Sequence, residues 1–281
     1  MVTYSADSHT LYGALTSSPA ADWPKGSMRS IVEWDTNKPL GEIEQVEHTY
    51  AVIGNMNEHQ LTVVESTWGG RPELVDTTGI IDYGSLMQLA LERAKTAREA
   101  IKVMTGLVKK YGYYSSGESF TIADPNEAWI LDLIGKGPGR RGAVWVAVRI
   151  PDDCIAGHAN YPRIHKIPMD DKENCLYSPD VISFAREMGY FDGLNKDFSF
   201  ARAYSPADFG ALRACDARVW SFFRKYDSTM DNYLPYVNGE SAEPFPLYVK
   251  PSRKLSVQDM KEAMRDHFED TPFDMTQDVG A

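Results

Sequence analysis

The chain is poor in cysteine and has no long apolar run. Its 281 residues include three cysteines, Cys154, Cys175 and Cys215. Because this small, odd number has no CxxC spacing, it argues against a disulfide framework and against a zinc site. Each cysteine is expected to be a small buried hydrophobe. No apolar stretch approaches the roughly 20 residues that a helix needs to cross a bilayer, so no membrane partner is expected.

The chain is also short of positive charge. Lysine and arginine number 29 against 40 aspartates and glutamates, which gives a net charge of −11. Because a duplex-binding surface usually clusters basic residues, a nucleic-acid partner is disfavoured. An acidic balance is ordinary for a cytosolic enzyme, which favours the cytoplasm. The opening residues show no signal-peptide pattern, but a signal peptide before Met1 would escape this test, so the compartment stays open.

Standard catalytic motifs are missing. The sequence contains no GxSxG, no HExxH, no dinucleotide-binding fingerprint and no kinase set. Its histidines include no pair at the spacing of helical metal ligands. His158 and His165 flank a turn, where they could be ligands, but hydrogen bonding is the favoured interpretation. No metal and no cofactor are therefore expected.

Periodicity predicts two consecutive helices, over residues 83–95 and 97–111. Apolar residues recur there at helical spacing, and Thr96 begins the capping-box sequence TARE. Strands are predicted over 47–55, 60–66, 119–124, 128–134, 143–150 and 153–160. The loop GKGPGRRG lacks the GK[ST] ending of a phosphate loop and joins two strands, so it is expected to be an exposed hairpin tip.

Further helices are predicted in the second half of the chain. One begins at Ser178-Pro179 and runs to Met188, one covers Ala211 to Tyr226, and one is capped by Ser256. Hairpins combined with blocks of helices predict an α+β fold in which sheet packs on sheet and helices lie outside.

Polar residues at strand ends are the first indication of a site. Glu65, Ser66 and Thr67 end a strand before a glycine pair, and His158 and Asn160 end another. An asparagine amide, or a backbone N–H beside glycine, can stabilise a developing oxyanion. Each residue alone is also typical of an ordinary turn.

Four long segments, in the same order, resemble one family. They are TYSADSHTLYG, GNMNEHQLTVVESTWGGRPEL, SFTIADPNEAWILDLIGKG and VAVRIPDDCIAGHANYPRI. Together they resemble the bacterial cysteine dipeptidases of the N-terminal-nucleophile hydrolase class, which are relatives of choloylglycine hydrolase and penicillin V acylase. The resemblance covers most of the chain. It implies a four-layer αββα sandwich of antiparallel sheets, here incomplete, in a single domain over residues 1–281.

The resemblance also implies a mechanism. In that family the mature protein begins with a cysteine whose thiolate attacks the amide carbonyl while its own α-amino group acts as the base. Met1 falls inside the family pattern, after the strand that carries this nucleophile, and none of the three cysteines matches it. The chain is therefore expected to be truncated at both ends and inactive as given, through a wrongly assigned start or a deliberate cut, rather than a natural pseudoenzyme.

Four catalytic residues follow from the resemblance. Asp7 matches the aspartate that orients the terminal amino group or thiol, and Asn160 the asparagine that fixes the nucleophile and the intermediate. Arg218 matches the arginine that stabilises the site electrostatically. Thr67 stands where acylase relatives have an oxyanion-hole asparagine, so a backbone N–H is a candidate for that role. Tyr4 stands where those relatives have an arginine. Without the resemblance, Asp7 would be a turn residue and Arg218 a surface charge.

The expected function is hydrolysis of dipeptides through an acyl-enzyme. The cleft would bind a free α-amino group, with Glu65 and Asp7 as candidate contacts. The substrate-binding candidates are Glu65, Gly69, Gly70 and His158. The alternatives are an acylase for conjugated bile acids or penicillin-type amides, and a non-catalytic protein that binds small molecules in the same cleft. Small peptides are the expected partners, and a homo-oligomer is possible.

Overall fold

An antiparallel sheet of eight strands forms the centre of the fold, which a computed structural model describes over residues 1–5 and 14–276. The strands are β1 (Ser17–Ser18), β2 (Ala21–Asp22), β3 (Met28–Val32), β4 (Pro39–Glu44), β5 (His48–Thr49), β6 (Val52–Ile53), β7 (Met56–Asn57), β8 (Thr62–Trp68), β9 (Gly117–Ala123), β10 (Ala128–Gly135), β11 (Ala143–Ile150), β12 (Ile155–Ala156), β13 (Cys175–Tyr177) and β14 (Tyr248–Val249). The order in the large sheet is β1-β6-β7-β8-β9-β10-β11-β13. The other strands form the pairs β2-β5, β3-β4 and β12-β14.

The helices occupy the middle and the second half of the chain. The α-helices are α1 (Tyr83–Arg93), α2 (Ala97–Tyr111), α3 (Val181–Glu187), α4 (Phe200–Tyr204), α5 (Ala217–Arg224), α6 (Leu234–Val237) and α7 (Val257–Ala263). Short 3₁₀ turns cover Pro72–Leu74, Asn195–Asp197 and Ser228–Tyr233, and a π-helix covers Ala211–Asp216. Among the described residues, no helix is long and apolar enough to span a membrane.

The two predicted consecutive helices are confirmed as α1 and α2. The Asp82 side chain caps α1 by accepting from Ser85 N–H, and Thr96 caps α2 by accepting from Glu99 N–H. The chain turns between them because Ala94 is extended. The chain leaves α2 at Gly112, whose φ of 81° lies in the region that favours glycine. These local signals are strong enough to be read from sequence.

The two faces of the large sheet bury different side chains. In β10, Trp129, Leu131 and Leu133 belong to a core shared with α1 and α2. Ile130 and Ile134 point the other way, into a core shared with α3 and α4. This alternation is the period of a strand that is buried on both faces. A large antiparallel sheet covered by helices confirms the predicted α+β class.

Three predicted elements differ from the structure. The strand predicted over 47–55 is split into β5, which pairs with β2, and β6, which belongs to the large sheet. The strand predicted over 153–160 is limited to β12, and Asn160, with a φ of 54° in the left-handed region, cannot belong to an extended strand. The helix predicted from Ala211 begins as the π-helix. Ala217 N–H donates to Leu212 O, five residues earlier, before regular α5 follows. The last two of these differences lie beside Arg218.

The edge of β8 on the side away from β9 is largely open. Strand β7 meets β8 only at the pair Met56 and Thr62. On that side Val63 N–H donates to Asn55 O, and Thr67 O accepts from the Asn160 amide. Because alternate residues of a strand direct their N–H and C=O to the same side, the backbone of Glu65 also faces this edge. Within the described part of the chain, no strand pairs with β8 beyond Thr62 on this edge.

A third core, built from α5, α6 and the segments around them, is tied to the chain beyond β12 by a buried ion pair. The Arg163 guanidinium donates to both carboxylate oxygens of Asp216 at 3.0 and 3.1 Å, and both side chains are inaccessible to solvent. Tyr236 O–H also donates to Asp216, and Arg163 donates to Phe245 O. A buried charge is tolerated when it is paired and hydrogen-bonded in this way.

We expect the substitution Asp216→Asn to destabilise the protein by about 3–5 kcal/mol, because it leaves the Arg163 charge buried without a counter-charge. Denaturant unfolding measures the loss. Asp231→Asn is the matched control: its carboxylate pairs with Arg224 but is exposed, so its loss should stay below about 1 kcal/mol. Equal losses in the two variants would contradict the role given to the buried pair.

Asp132 is a second buried charge, in the middle of β10. Its carboxyl accepts from Ser119 O–H at 2.6 Å and from Ile164 N–H at 2.8 Å. Burial raises the pKa of Asp132 to about 6, although these hydrogen bonds oppose the rise. In the unfolded chain an aspartate has a pKa of about 3.9. The folded state therefore holds a proton that the unfolded state releases between these values.

The contribution of Asp132 to stability should be complete below about pH 4 and lost as the pH rises through 6. A difference of two pKa units corresponds to about 3 kcal/mol. Unfolding free energies of the wild type and of Asp132→Asn, measured between pH 4 and 7, should differ by this pH-dependent amount. The exposed Asp152→Asn serves as control. Parallel curves for the wild type and Asp132→Asn would show that Asp132 titrates normally.

Candidate active site

A cavity of about 1330 Å³ opens where the free edge of β8 meets the segment before Tyr161 and helix α5. Its lining includes residues 1–5, the β8 side chains of Glu65, Ser66 and Thr67, the turn from His158 to Asn160, and Arg218. Trp34, Tyr83, Trp129 and Phe222 supply aromatic walls. The structure thus brings residues from opposite ends of the chain to one concave surface, which is the usual form of a small-molecule site.

Asn160 is held on three sides by hydrogen bonds. Its backbone N–H donates to Ser66 Oγ at 3.2 Å, and its Nδ2 donates to Thr67 O at 2.5 Å. Its Oδ1 accepts from Arg218 Nη2 at 2.8 Å. Because a carbonyl can only accept and a guanidinium can only donate, the orientation of the amide is fixed without ambiguity. The second N–H of Nδ2 has no acceptor among the described residues.

Arg218 is positioned by the irregular start of its helix. Its Nε donates to Ala214 O inside the π-helix at 2.8 Å, and its Nη2 also reaches Ala159 O at 3.3 Å. The planar guanidinium therefore bridges the helix and the turn that carries Asn160. π-Helical turns are frequent at functional sites, where they re-aim a side chain.

Both ring nitrogens of His158 contact hydroxyl groups of the large sheet. Its Nδ1 is 2.6 Å from Ser66 Oγ, and its Nε2 is 2.9 Å from Thr121 Oγ1. Burial, aided by the charge of Arg163, lowers the pKa of His158 to about 4. The imidazole is therefore neutral at physiological pH, with both ring nitrogens engaged by hydroxyl groups.

Thr67 turns its side chain away from Asn160. Its hydroxyl donates at 2.9 Å to Oε2 of Glu118, its partner in the neighbouring strand β9. The Glu118 side chain is completely buried. Burial and the neighbouring Glu65 carboxylate raise the pKa of Glu118 well above its ordinary value. Burial thus favours the neutral form of Glu118, and the Thr67 O–H donates to this carboxyl group rather than into the cavity.

Negative charge dominates the cavity wall. The described lining carries six carboxylates, those of Asp35, Glu65, Asp124, Glu127, Asp152 and Asp266, and a single cationic side chain, Arg218. Arginine or lysine residues outside the wall pair with Glu127, Asp152 and Asp266. Asp35 and Glu65 instead accept hydrogen bonds from Tyr83 and Tyr4 hydroxyls, at 3.0 and 2.5 Å. Because a hydroxyl group is neutral, these two hydrogen bonds do not neutralise the carboxylates. The two carboxylates are therefore suited to bind a cationic group.

The structure brings most of the predicted site residues together. Asn160, Arg218, Thr67, Glu65 and His158 all line the cavity. Asp7 lies outside the described residues, so its predicted role stays a prediction.

Gly69 and Gly70 are not among the lining residues. Gly70 has a φ of 65°, and a Cβ there would come within 2.6 Å of Ile134 Cδ1. Backbone conformation and packing therefore account for this glycine.

Sequence reasoning missed Glu118, Asp35 and Tyr83. Glu118, Phe120 and Ile122 occupy every second position of β9. The two-residue period of a strand could therefore have placed Glu118 on the same buried face as the two apolar residues. Asp35 and Tyr83 carry no such signal, because they reach the cavity only through the packing of their turn and helix. No group of three or more histidine, cysteine or acidic side chains suited to a metal occurs in the described residues.

None of the three cysteines has the character of a nucleophile. Burial is the main cause that raises the pKa of Cys154 and of Cys215, and it raises the pKa of Cys175 to about 12. Cys154 lines the cavity, but the neighbouring Asp153 carboxylate also disfavours its thiolate. A reactive cysteine needs a lowered pKa, so the thiolate form is scarce at all three positions at neutral pH.

Alkylation by iodoacetamide tests this assignment. At pH 7 all three thiols of the folded chain should react more slowly than a free cysteine peptide, with rates that rise as the pH approaches 9. Mass spectrometry of peptides measures each site separately, and the same reaction in urea is the control, where all three should match the free peptide. A site that reacts faster than the free peptide in the folded chain would mark an activated thiol.

Comparison with known proteins identifies the family. The model for peptidase family C69 matches residues 1–281. The chain is 29% identical over 261 residues to a probable dipeptidase of Salmonella dublin, which covers 89% of this chain and 55% of the relative. It is 25% identical over 280 residues to a dipeptidase of Bifidobacterium longum (strain NCC 2705), covering 94% of this chain and 49% of the relative. A probable dipeptidase of Latilactobacillus sakei is 28% identical over 190 residues, which cover 68% of this chain and 37% of that relative.

The chain spans about half the length of these curated relatives. The match over its whole length confirms the resemblance that the four sequence segments indicate. Those segments also supply part of the cavity lining. The chain belongs to peptidase family C69.

Proposed function

We propose that the intact protein hydrolyses dipeptides through a cysteine nucleophile at its mature N-terminus. The observation that carries the proposal is the position of residues 1–5, which line the same cavity as Asn160, Arg218 and Glu65. A strand that leads into Met1 would enter the cavity beside the open edge of β8. The curated relatives are named dipeptidases, which does not favour an acylase or a non-catalytic binding protein.

In this mechanism the free α-amino group takes the proton from the thiol of the same residue, and the thiolate attacks the carbonyl carbon of the scissile amide. The proton passes to the amide nitrogen as the C–N bond breaks and the amine leaves, and water then hydrolyses the thioester and restores the thiol. The oxyanion that forms needs N–H donors already in place. Two candidates face the cavity: the second N–H of Asn160 Nδ2, and the backbone N–H of Thr67, which alternation places on the open edge of β8. Arg218 holds the Asn160 amide in its orientation.

Glu65 is the proposed contact for the substrate's α-ammonium group. Its carboxylate accepts from Tyr4 O–H, and Asp35 with Tyr83 adds a second carboxylate on the same wall. Neither carboxylate forms an ion pair with a lysine or arginine of the described residues, so the two attract a cation. A free α-amino group close to the scissile bond is what distinguishes a dipeptide from an internal segment of a longer chain. The acidic wall therefore supports a preference for short peptides with an unmodified N-terminus.

We further infer that the intact protein completes a four-layer αββα sandwich in a single domain. Two features of this chain support the inference. Helices α1 and α2 cover one face of the large sheet, and the edge of β8 is open to a further strand.

The test uses the full open reading frame that contains this chain, assayed with dipeptides and with the same dipeptides N-acetylated. We expect cleavage of the free dipeptides, abolished by replacing the first cysteine of the mature protein with alanine. Glu65→Gln should raise KM for free dipeptides roughly 10- to 100-fold, because a charge-assisted hydrogen bond is lost. Liquid chromatography of the released amino acids gives the rates.

The matched control is Glu47→Gln, an exposed carboxylate away from the cavity. It should leave both kinetic constants unchanged. Failure to cleave any dipeptide would overturn the proposed function. Equal cleavage of free and N-acetylated dipeptides, with no effect of Glu65→Gln, would overturn the recognition of the α-ammonium group while leaving the peptidase activity in place.

A further inference from the structure

We propose that His158 is a positioning residue, which fixes the backbone of Asn160 through the hydroxyl group of Ser66. The inference rests on the proposed function, in which the Asn160 amide contacts the reacting group. It assigns His158 a role different from the direct substrate contact predicted for it, and it gives Ser66 and Thr121 a part in the same arrangement, called here the Ser66–His158–Thr121 relay.

The direction of each hydrogen bond in the relay follows from the donors present. Asn160 N–H can only donate, so Ser66 Oγ accepts it at 3.2 Å. Ser66 O–H then has an acceptor within 2.6 Å, the Nδ1 atom of His158. The proposal assigns the ring hydrogen to Nε2, so that Nδ1 accepts from Ser66 O–H and Nε2 donates to Thr121 Oγ1 at 2.9 Å. One neutral tautomer thus satisfies every group.

The surroundings of His158 hold it in this neutral form. The ring lies between β8, β9 and its own turn, and the charged side chain that acts on it is Arg163, which disfavours a second positive charge. A protonated imidazole would carry a hydrogen on both nitrogens and could no longer accept from Ser66. Since both nitrogens are engaged by side chains of the sheet, the ring cannot offer a nitrogen to a substrate without giving up one of these bonds.

Asn160 needs this support because packing does not supply it. The residue is exposed, and its φ of 54° lies in the left-handed region, which asparagine adopts more often than most residues but which is not its commonest conformation. Thr67 O and Arg218 fix the side-chain amide, whereas Ser66 Oγ alone fixes the backbone N–H. Loss of the Ser66 contact would free the backbone to leave the left-handed conformation and carry the amide with it.

The kinetic test compares variants of the full open reading frame. Ser66→Ala and His158→Leu should each lower kcat roughly 10- to 100-fold with little change in KM, because misplacement of a reacting group by about 1 Å has effects of this size. His158→Asn keeps an acceptor near the position of Nδ1 and should recover most of the loss. Ser66→Ala combined with His158→Leu should be no worse than either alone, because both break the same relay.

Ser30→Ala is the matched control, since it also removes a serine hydroxyl that bonds a side chain, but on the exposed hairpin β3-β4. It should leave kcat unchanged. Unchanged kcat in Ser66→Ala, losses that multiply in the double variant, or no recovery in His158→Asn would each overturn the proposal. A purely structural role for His158 would lower the unfolding free energy and leave the kcat of the remaining folded enzyme intact.

A second measurement needs no activity and uses the 281-residue chain itself. Nitrogen-15 NMR should show His158 at pH 7 with Nδ1 unprotonated and Nε2 protonated, and Ser66→Ala should shift the backbone and side-chain amide signals of Asn160. The opposite tautomer, a titration near pH 6.5, or Asn160 signals indifferent to Ser66→Ala would overturn the relay. If the wild type cleaves no dipeptide, the proposed function fails, and these spectra alone decide the relay.

Discussion

The short segment from Asn160 to Ile164 connects the three main parts of the molecule. Ile164 N–H donates a hydrogen bond to the buried Asp132 carboxyl in the middle of the large sheet. Arg163 forms the buried ion pair with Asp216, which belongs to the third core. Asn160 bonds the open edge of β8 and Arg218. Five consecutive positions thus fix the sheet, the helical region and the cavity relative to one another, and a shift of this segment would move all three.

Burial shifts the protonation of several groups around the cavity. It raises the pKa of Asp132 and of Glu118, and it lowers the pKa of His158 to about 4, so this imidazole is neutral near pH 7. The charges that a ligand meets are those on the wall, Arg218 and the carboxylates such as Glu65. Burial thereby leaves the electrostatics of the cavity to a few exposed side chains.

Local sequence signals predicted the regular elements well and the irregular ones poorly. Helices α1 and α2 follow from helical periodicity and capping residues, whereas strands β10 and β11 follow from short runs of β-forming residues bounded by turns. The turn at Asn160 could not be read in this way, since its left-handed conformation is stabilised by Ser66, 94 residues away in the chain. Contacts of this kind depend on tertiary structure, which periodicity does not encode.

The candidate site shows the same division. The family resemblance pointed to Asn160, Arg218 and Thr67, and they do meet in one place. What it could not supply was the identity of the atoms used. The Thr67 hydroxyl is occupied by Glu118, whereas the Thr67 carbonyl holds Asn160. Glu118 itself could be placed by strand alternation, but its raised pKa depends on complete burial and on Glu65, which only the assembled sheet provides.

The substitution of threonine for the asparagine of acylase relatives is consistent with this geometry. The threonine directs its hydroxyl to Glu118, in the neighbouring strand β9. The backbone of Thr67 then serves twice. Its carbonyl anchors the Asn160 amide, and its N–H faces the open edge of β8, where an oxyanion would form in the proposed reaction. In the proposed reaction, this backbone donor would take the role that the resemblance gives to the side-chain amide of acylase relatives, because an open strand edge presents it without further residues.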